Sequence, residues 1–148
     1  MLEKNDVTEP KPELRMSRVF EAKRRLVFEA WTKAEHVSRW FAPRPLTVVE
    51  CELDFRVGGV FNLVMVTPDG KRYPMVATFR EVVVPERIVF DAVIHDDNRA
   101  LTTLTFTEID GKTRLDVHQV YSFESPATRG AQQGWTATLD QLGEHVAR

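Results

Sequence analysis

The residues able to do chemistry are few, and their spacing limits what they can do. The four histidines stand at positions 36, 95, 118 and 145. None belongs to an H-x-H, H-E-x-x-H or cysteine-paired pattern, so no local spacing presents a ligand set to a metal ion. His95 beside Asp96 and Asp97 reads as a solvated turn before it reads as a hard-ion loop. Asp116 and His118, two apart on a strand, could form an acid–base pair, but Arg114 in phase with them marks a water-facing row. Cys51 is the single thiol and alternates with Leu53 on an apolar face, where a thiol is inert filler. The glycines of "RVGGVFN" are not G-x-G-x-x-G, and a strand follows them rather than the helix N-terminus that binds phosphate. A turn or bulge needing glycine's freedom in φ is the plainer reading.

Two polar side chains fall on the apolar face. Gln119 is in phase with Leu115 and Val117, and Arg18 with Leu14 and Met16. A buried amide without partners costs ~1–3 kcal/mol, so Gln119 must bond to backbone, water or a ligand. Around it converge Trp40, Phe61, Phe79, Phe90, Phe106 and Trp135, with Met65 and Met75. Such a set is either a filled core or the wall of an apolar pocket, where methionine's adaptability is useful. The candidate ligand-binding residues are Trp40, Phe61, Met65, Met75, Phe79, Phe106, Gln119 and Trp135. The pattern assigns no catalytic residue and no metal ligand, and calls for no cofactor.

The elements that must position these residues follow from periodicity. Residues 1–12 are polar, with Pro10 and Pro12, and read as a loose tail before a domain spanning 13–148. "ELRMSRVFEA" alternates as a strand. "KRRLVFEAWT" places Leu26, Val27, Ala30 and Trp31 near one helical face. Thr32 and Glu35 match a T-x-x-E capping box, which predicts that a second helix starts at Thr32 and carries Val37, Trp40 and Phe41. Pro43 and Pro45 stop it. On that helix His36 and Arg39 point away from the Val37/Trp40 face, into water.

The period then changes to two. One face collects Thr47, Val49, Cys51 and Leu53; then Phe61, Leu63 and Met65; then Tyr73, Met75, Ala77 and Phe79. Ile88, Phe90 and Ala92 continue it, then Leu104 and Phe106, then Leu115, Val117, Gln119 and Tyr121. Turn signals such as Pro68-Asp69-Gly70 and Asp110-Gly111 separate the runs, so they predict an antiparallel meander with one apolar face. The cover is the last segment. Ser125-Pro126 is a helix start, and Ala131, Trp135, Thr138, Leu139, Leu142 and Val146 follow helical spacing. A helix of about 20 residues would be ~30 Å long, enough to cross a sheet. The fold class is α+β.

Composition bounds the rest. The chain has 148 residues, 43% hydrophobic and 28% charged, which suits one globular domain. A net charge of −2, with basic residues scattered among acidic ones, gives no footprint for nucleic acid. One cysteine fits a reducing compartment. "MLEKNDVTEPKPE" lacks the apolar core of a signal peptide, and no apolar run is long enough to span a membrane, so a cytoplasmic protein is expected.

"RVFEAKRRLVFEAWTKAEHVSRWFAP", "LDFRVGGVFNLVMVTPDGKRYPM", "VVVPERIVF" and "GWTATLDQL" together resemble the family homologous to the activator of heat-shock-protein-90 ATPase, within the START-like superfamily of polyketide cyclases and lipid-transfer domains. The resemblance covers about residues 14 to 147. It implies a helix-grip fold, in which a curved antiparallel sheet wraps a long C-terminal helix, two short helices close one end, and the first strand joins the edge beside the last. Lys23 stands where that family usually has a proline that pre-organises the helix start.

Three functions stay open. A single-domain relative of this kind would bind a small hydrophobic molecule between sheet and helix. It could instead be an interaction module for a chaperone-like protein partner, as the family name implies, or a cyclase- or hydrolase-type enzyme using Tyr121 or Arg18 in a cavity. A homodimer through an edge strand or helix is equally open.

Overall fold

A computed structural model describes residues 11–94 and 97–147. His95, Asp96 and most of the polar N-terminal segment lie outside the described residues, and with them the hard-ion reading of the 95–97 turn. The elements are β1 (Glu13–Phe20), α1 (Arg24–Glu29), α2 (Ala34–Trp40), β2 (Thr47–Leu53), β3 (Phe61–Val66), β4 (Arg72–Val83), β5 (Arg87–Val93), β6 (Arg99–Ile109), β7 (Lys112–Tyr121), α3 (Pro126–Arg129) and α4 (Ala131–Val146). The strands form one seven-stranded sheet in the order β1-β7-β6-β5-β4-β3-β2. Every pairing is antiparallel, and β1 crosses from the start of the chain to pair with β7. This is the helix-grip arrangement.

Alternation fails where the ladder carries an extra residue. Between Val48 and Glu50 the β2–β3 register shifts, leaving Val49 without an opposite partner. The bulge reverses the side-chain phase, so Val48 joins Cys51 and Leu53 against the core while Val49 is exposed. The sequence reading, which put Val49 on the inner face, is corrected by that single inserted residue. A second shift between Phe79 and Glu81 moves the inward series of β4 from Phe79 to Val82. Such bulges bend a strand, and here they help fold the sheet around α4.

The short helices also start differently from expectation. The N-cap of α2 is Lys33, with no side-chain capping bond. The Thr32 hydroxyl donates instead to the Glu29 carbonyl at 2.9 Å, closing the end of α1. Thr32 and Glu35 therefore do not form the predicted capping box, because the helix begins later than that box requires. In α1 the buried residues are Val27 and Phe28, while Leu26 is exposed. With so few residues, the turn's tilt decides which ones face inward. Downstream, Gly130 divides the predicted long helix into α3 and the 16-residue α4. At 1.5 Å per residue α4 is about 24 Å long.

The core lies between the sheet's concave face and the helices. Trp31 and Trp40 meet edge to face with centroids 4.6 Å apart. Phe61 stacks on Phe79 at 5.5 Å, and Phe106 meets Phe28 at 5.1 Å. Edge-to-face and offset pairs are the favourable geometries for aromatic rings. Arg18 leaves the apolar row and pairs with Asp140 of α4 at 2.8 Å. It ties β1 to the long helix, which answers the question its phase raised. Among the described residues no helix is long and apolar enough to cross a membrane.

Candidate ligand pocket

Between the sheet and α4 a cavity of about 180 Å³ remains. Its floor is Met65, Met75, Phe90 and Ala92 from adjacent strands; α4 supplies Trp135 and Thr138. Phe41 and Pro43, just after α2, form one rim, and Gln119 and Tyr121 of β7 form a polar corner. The Thr138 hydroxyl donates to the Phe41 carbonyl at 2.9 Å, which fixes the rim against α4. Among the described residues no charged side chain lines the space.

The polar corner has a definite sense. Trp135 Nε1, which can only donate, lies 2.9 Å from Gln119 Oε1. That contact sets the amide's orientation. The Tyr121 hydroxyl also donates to Oε1, and Nε2 donates to the Thr102 hydroxyl at 2.8 Å. Burial pushes the Tyr121 pKa up to about 12. The phenol is therefore neutral near pH 7, a hydrogen-bonding group rather than a proton-abstracting base.

Of the eight candidate residues, Met65, Met75, Gln119 and Trp135 meet around this space. Trp40, Phe61, Phe79 and Phe106 are not among its lining residues and lie in the adjoining core. Trp40 Nε1 donates to the Ala30 carbonyl at 3.1 Å, and its ring is held by Trp31. The three phenylalanines are consumed by ring contacts with one another and with Phe28, Phe55 and Phe90. Parity identified an inward face, but it cannot separate inward residues that touch each other from those that border a gap. Phe41, Phe90 and Tyr121 border it and were absent from the candidate set, although each was read as inward.

A second, polar cleft of about 340 Å³ opens on the other side of the α2–α4 contact. His36, Arg39, Arg44, Glu144 and His145 line part of it. His36 is not simply in water: its Nδ1 lies 3.2 Å from His145 Nε2. Arg44 pairs with Glu144 at 2.8 Å. Gln141 backs the cleft, donating to the Trp40 and Ala42 carbonyls at 2.9 and 2.7 Å and accepting from the Arg44 N–H at 2.9 Å. Sequence reasoning passed over Gln141, although it lies three residues after Thr138, on the buried side of the helix.

The remaining candidates are structural. Asp116 accepts from Ser17 and pairs with Arg114 at 3.1 Å, while His118 meets Glu13 at 2.7 Å, so the acid–base pair is not formed. The His118 hydrogen bond holds the Glu13 carboxyl below its ordinary range. Burial pushes the Cys51 thiol up, away from the reactive thiolate. Among the described residues no group of three or more His, Cys, Asp or Glu side chains could hold a metal ion.

Known proteins share this architecture. A Chromobacterium violaceum protein superposes with a TM-score of 0.86 at 23% identity, over 93% of this chain and 98% of that chain. A Rhizobium leguminosarum protein gives 0.79 at 28% identity, over 92% and 94%. A Silicibacter pomeroyi protein described as AHSA1 gives 0.80 at 25%, over 91% and 97%. No curated protein matches the chain. The profile of one family, described as Activator of Hsp90 ATPase homolog 1-like protein, matches residues 21–147. Both the fold and that match lead to one statement: the chain belongs to the activator of Hsp90 ATPase homolog 1-like family.

Proposed function

We propose that the protein binds a small, neutral, mostly apolar molecule in the pocket between the sheet and α4. The observation that carries this reading is a cavity whose described lining carries no charge, with two adaptable methionines on its floor and one hydrogen-bonding corner, Gln119–Tyr121–Trp135. Binding sites combine those features: an apolar wall for affinity and a few convergent polar groups for orientation. The volume limits the ligand. An apolar cavity of about 150 Å³ accepts benzene, so about 180 Å³ suits a single substituted ring. Sterols and long acyl chains need the ~300–1,000 Å³ of larger pockets. Affinities for such a ligand should lie between about 1 mM and 1 μM, −4 to −8 kcal/mol.

The test is a methyl-NMR titration with single-ring aromatics. The Met65 and Met75 methyls and the Trp135 indole N–H should shift together and saturate, while the Met16 methyl, on β1, stays still. Uniform drift of all the methionines, or no saturation up to the solubility limit, would remove the reading.

A further inference from the structure

The hydrogen-bond inventory of the polar corner specifies more than an apolar ligand. Gln119 Oε1 receives two protons, one from Trp135 and one from Tyr121. The Tyr121 proton is thereby spent, and its oxygen keeps acceptor capacity with no donor to it among the described residues. Gln119 Nε2 carries two protons and gives one to Thr102. Its second N–H has no acceptor among the described residues, a costly state for a donor that is mostly buried. One acceptor and one donor, on neighbouring side chains, therefore remain beside a cavity with no charged side chain among its described lining residues.

We infer that the pocket is built for a neutral hydroxyl on a small ring, which gives its proton to Tyr121 Oη and accepts one from Gln119 Nε2. The inference rests on the pocket being a ligand site, as proposed above. A hydroxyl is the simplest group that both donates and accepts at one atom. An ether or ketone satisfies only Gln119. A methyl satisfies neither group and leaves both desolvated. A carboxylate would enter a space with no cation among its described lining residues, where an uncompensated charge is costly. The selectivity therefore separates phenols and small cyclic alcohols from acids and from hydrocarbons of equal shape.

The experiment is a matched series on the full chain: para-cresol, 4-methylanisole, para-xylene and 4-methylbenzoate, titrated against the Met65 and Met75 methyls. Para-cresol loses more hydration than para-xylene on entering an apolar space, so tighter binding requires compensation by the corner. We expect para-cresol to bind about tenfold or more tightly than para-xylene, which corresponds to one good hydrogen bond to a buried partner. 4-Methylanisole should fall between them and 4-methylbenzoate should be weakest. Tyr121→Phe should bring the cresol-to-xylene ratio toward one. If that variant fails to fold, the wild-type series decides alone.

Para-xylene binding as tightly as para-cresol would overturn the hydroxyl assignment while leaving the apolar site standing. 4-Methylanisole matching para-cresol would overturn the acceptor role of Tyr121. Absence of saturable binding by all four would overturn the site itself, and the assignment with it.

Discussion

Gln119 and Gln141 are both buried amides, one on the last strand and one on the long helix, and they are used differently. Gln141 spends both protons on the Trp40 and Ala42 carbonyls, and its oxygen takes the Arg44 N–H. All of its partners are backbone groups in the segment that leaves α2, where a helix end would otherwise carry unsatisfied carbonyls. Among the described residues Gln119 bonds only to side chains, and one of its protons has no acceptor. An amide saturated by backbone is a structural clamp. An amide held by side chains beside a cavity, with a donor to spare, is suited to meet a ligand.

The comparison breaks most visibly at Gln141. Gln141→Ala strands three backbone groups and leaves a void, which should cost about 3 kcal/mol. By thermal melt, Tm should fall by about 10 °C for a domain of this size. A change within a degree would show that α4 is not held to this segment by the amide. Gln119→Leu should cost less, about 1–2 kcal/mol, because only side-chain partners lose their acceptor. Its larger effect should be on ligands, with the preference for para-cresol over para-xylene abolished in the same titration.

Tyr121 sharpens the comparison through pH. Its pKa is about 12 in the folded chain and about 10 when unfolded. Below pH 10 both states hold the proton and the stabilisation is fully present. Between about pH 10 and 12 the unfolded state releases it first, so stability falls as pH rises. Over that window the wild type should lose up to about 2–3 kcal/mol more than Tyr121→Phe, measured as the difference between their urea midpoints. Parallel curves would mean that the phenol is not desolvated.

The smallest effect should come from the outer face of the sheet, where Glu13 meets His118. The Glu13 carboxyl titrates below its ordinary value of 4.5. Its contribution is therefore present above that value and lost as pH falls through the depressed one. Glu13→Gln should lower the neutral plateau of the stability curve slightly, flatten its acid limb and leave ligand binding unchanged, the effect being small because both partners are partly in solvent.

Much of this was legible in the chain. Alternation of Phe61, Leu63 and Met65, and of Leu115, Val117 and Gln119, follows from the period of a strand and needs no knowledge of neighbours. Gln119 stood out because an amide in an apolar row must be satisfied. The errors share a cause. Val49 was misplaced by a bulge, which depends on how β3 lies opposite β2. Thr32 was read as a cap for the following helix, but the Glu29 carbonyl behind it was the available partner. Gln141 was overlooked because its partners are about 100 residues away in the chain.

Sequence alone determined the order of elements, the inward face of most strands and the presence of a polar group among aromatics. Each of these is set within a few residues by backbone geometry and the burial of apolar side chains. Tertiary structure decided which inward rings touch and which stand back. Trp40, Phe61, Phe79 and Phe106 fill space together, while Met65, Met75 and Trp135 border what remains. A cavity is a property of distances between segments far apart in the chain, so no local pattern encodes it. The same holds for the unspent proton of Gln119, which follows from where Thr102, Tyr121 and Trp135 stand once the sheet has closed on its helix.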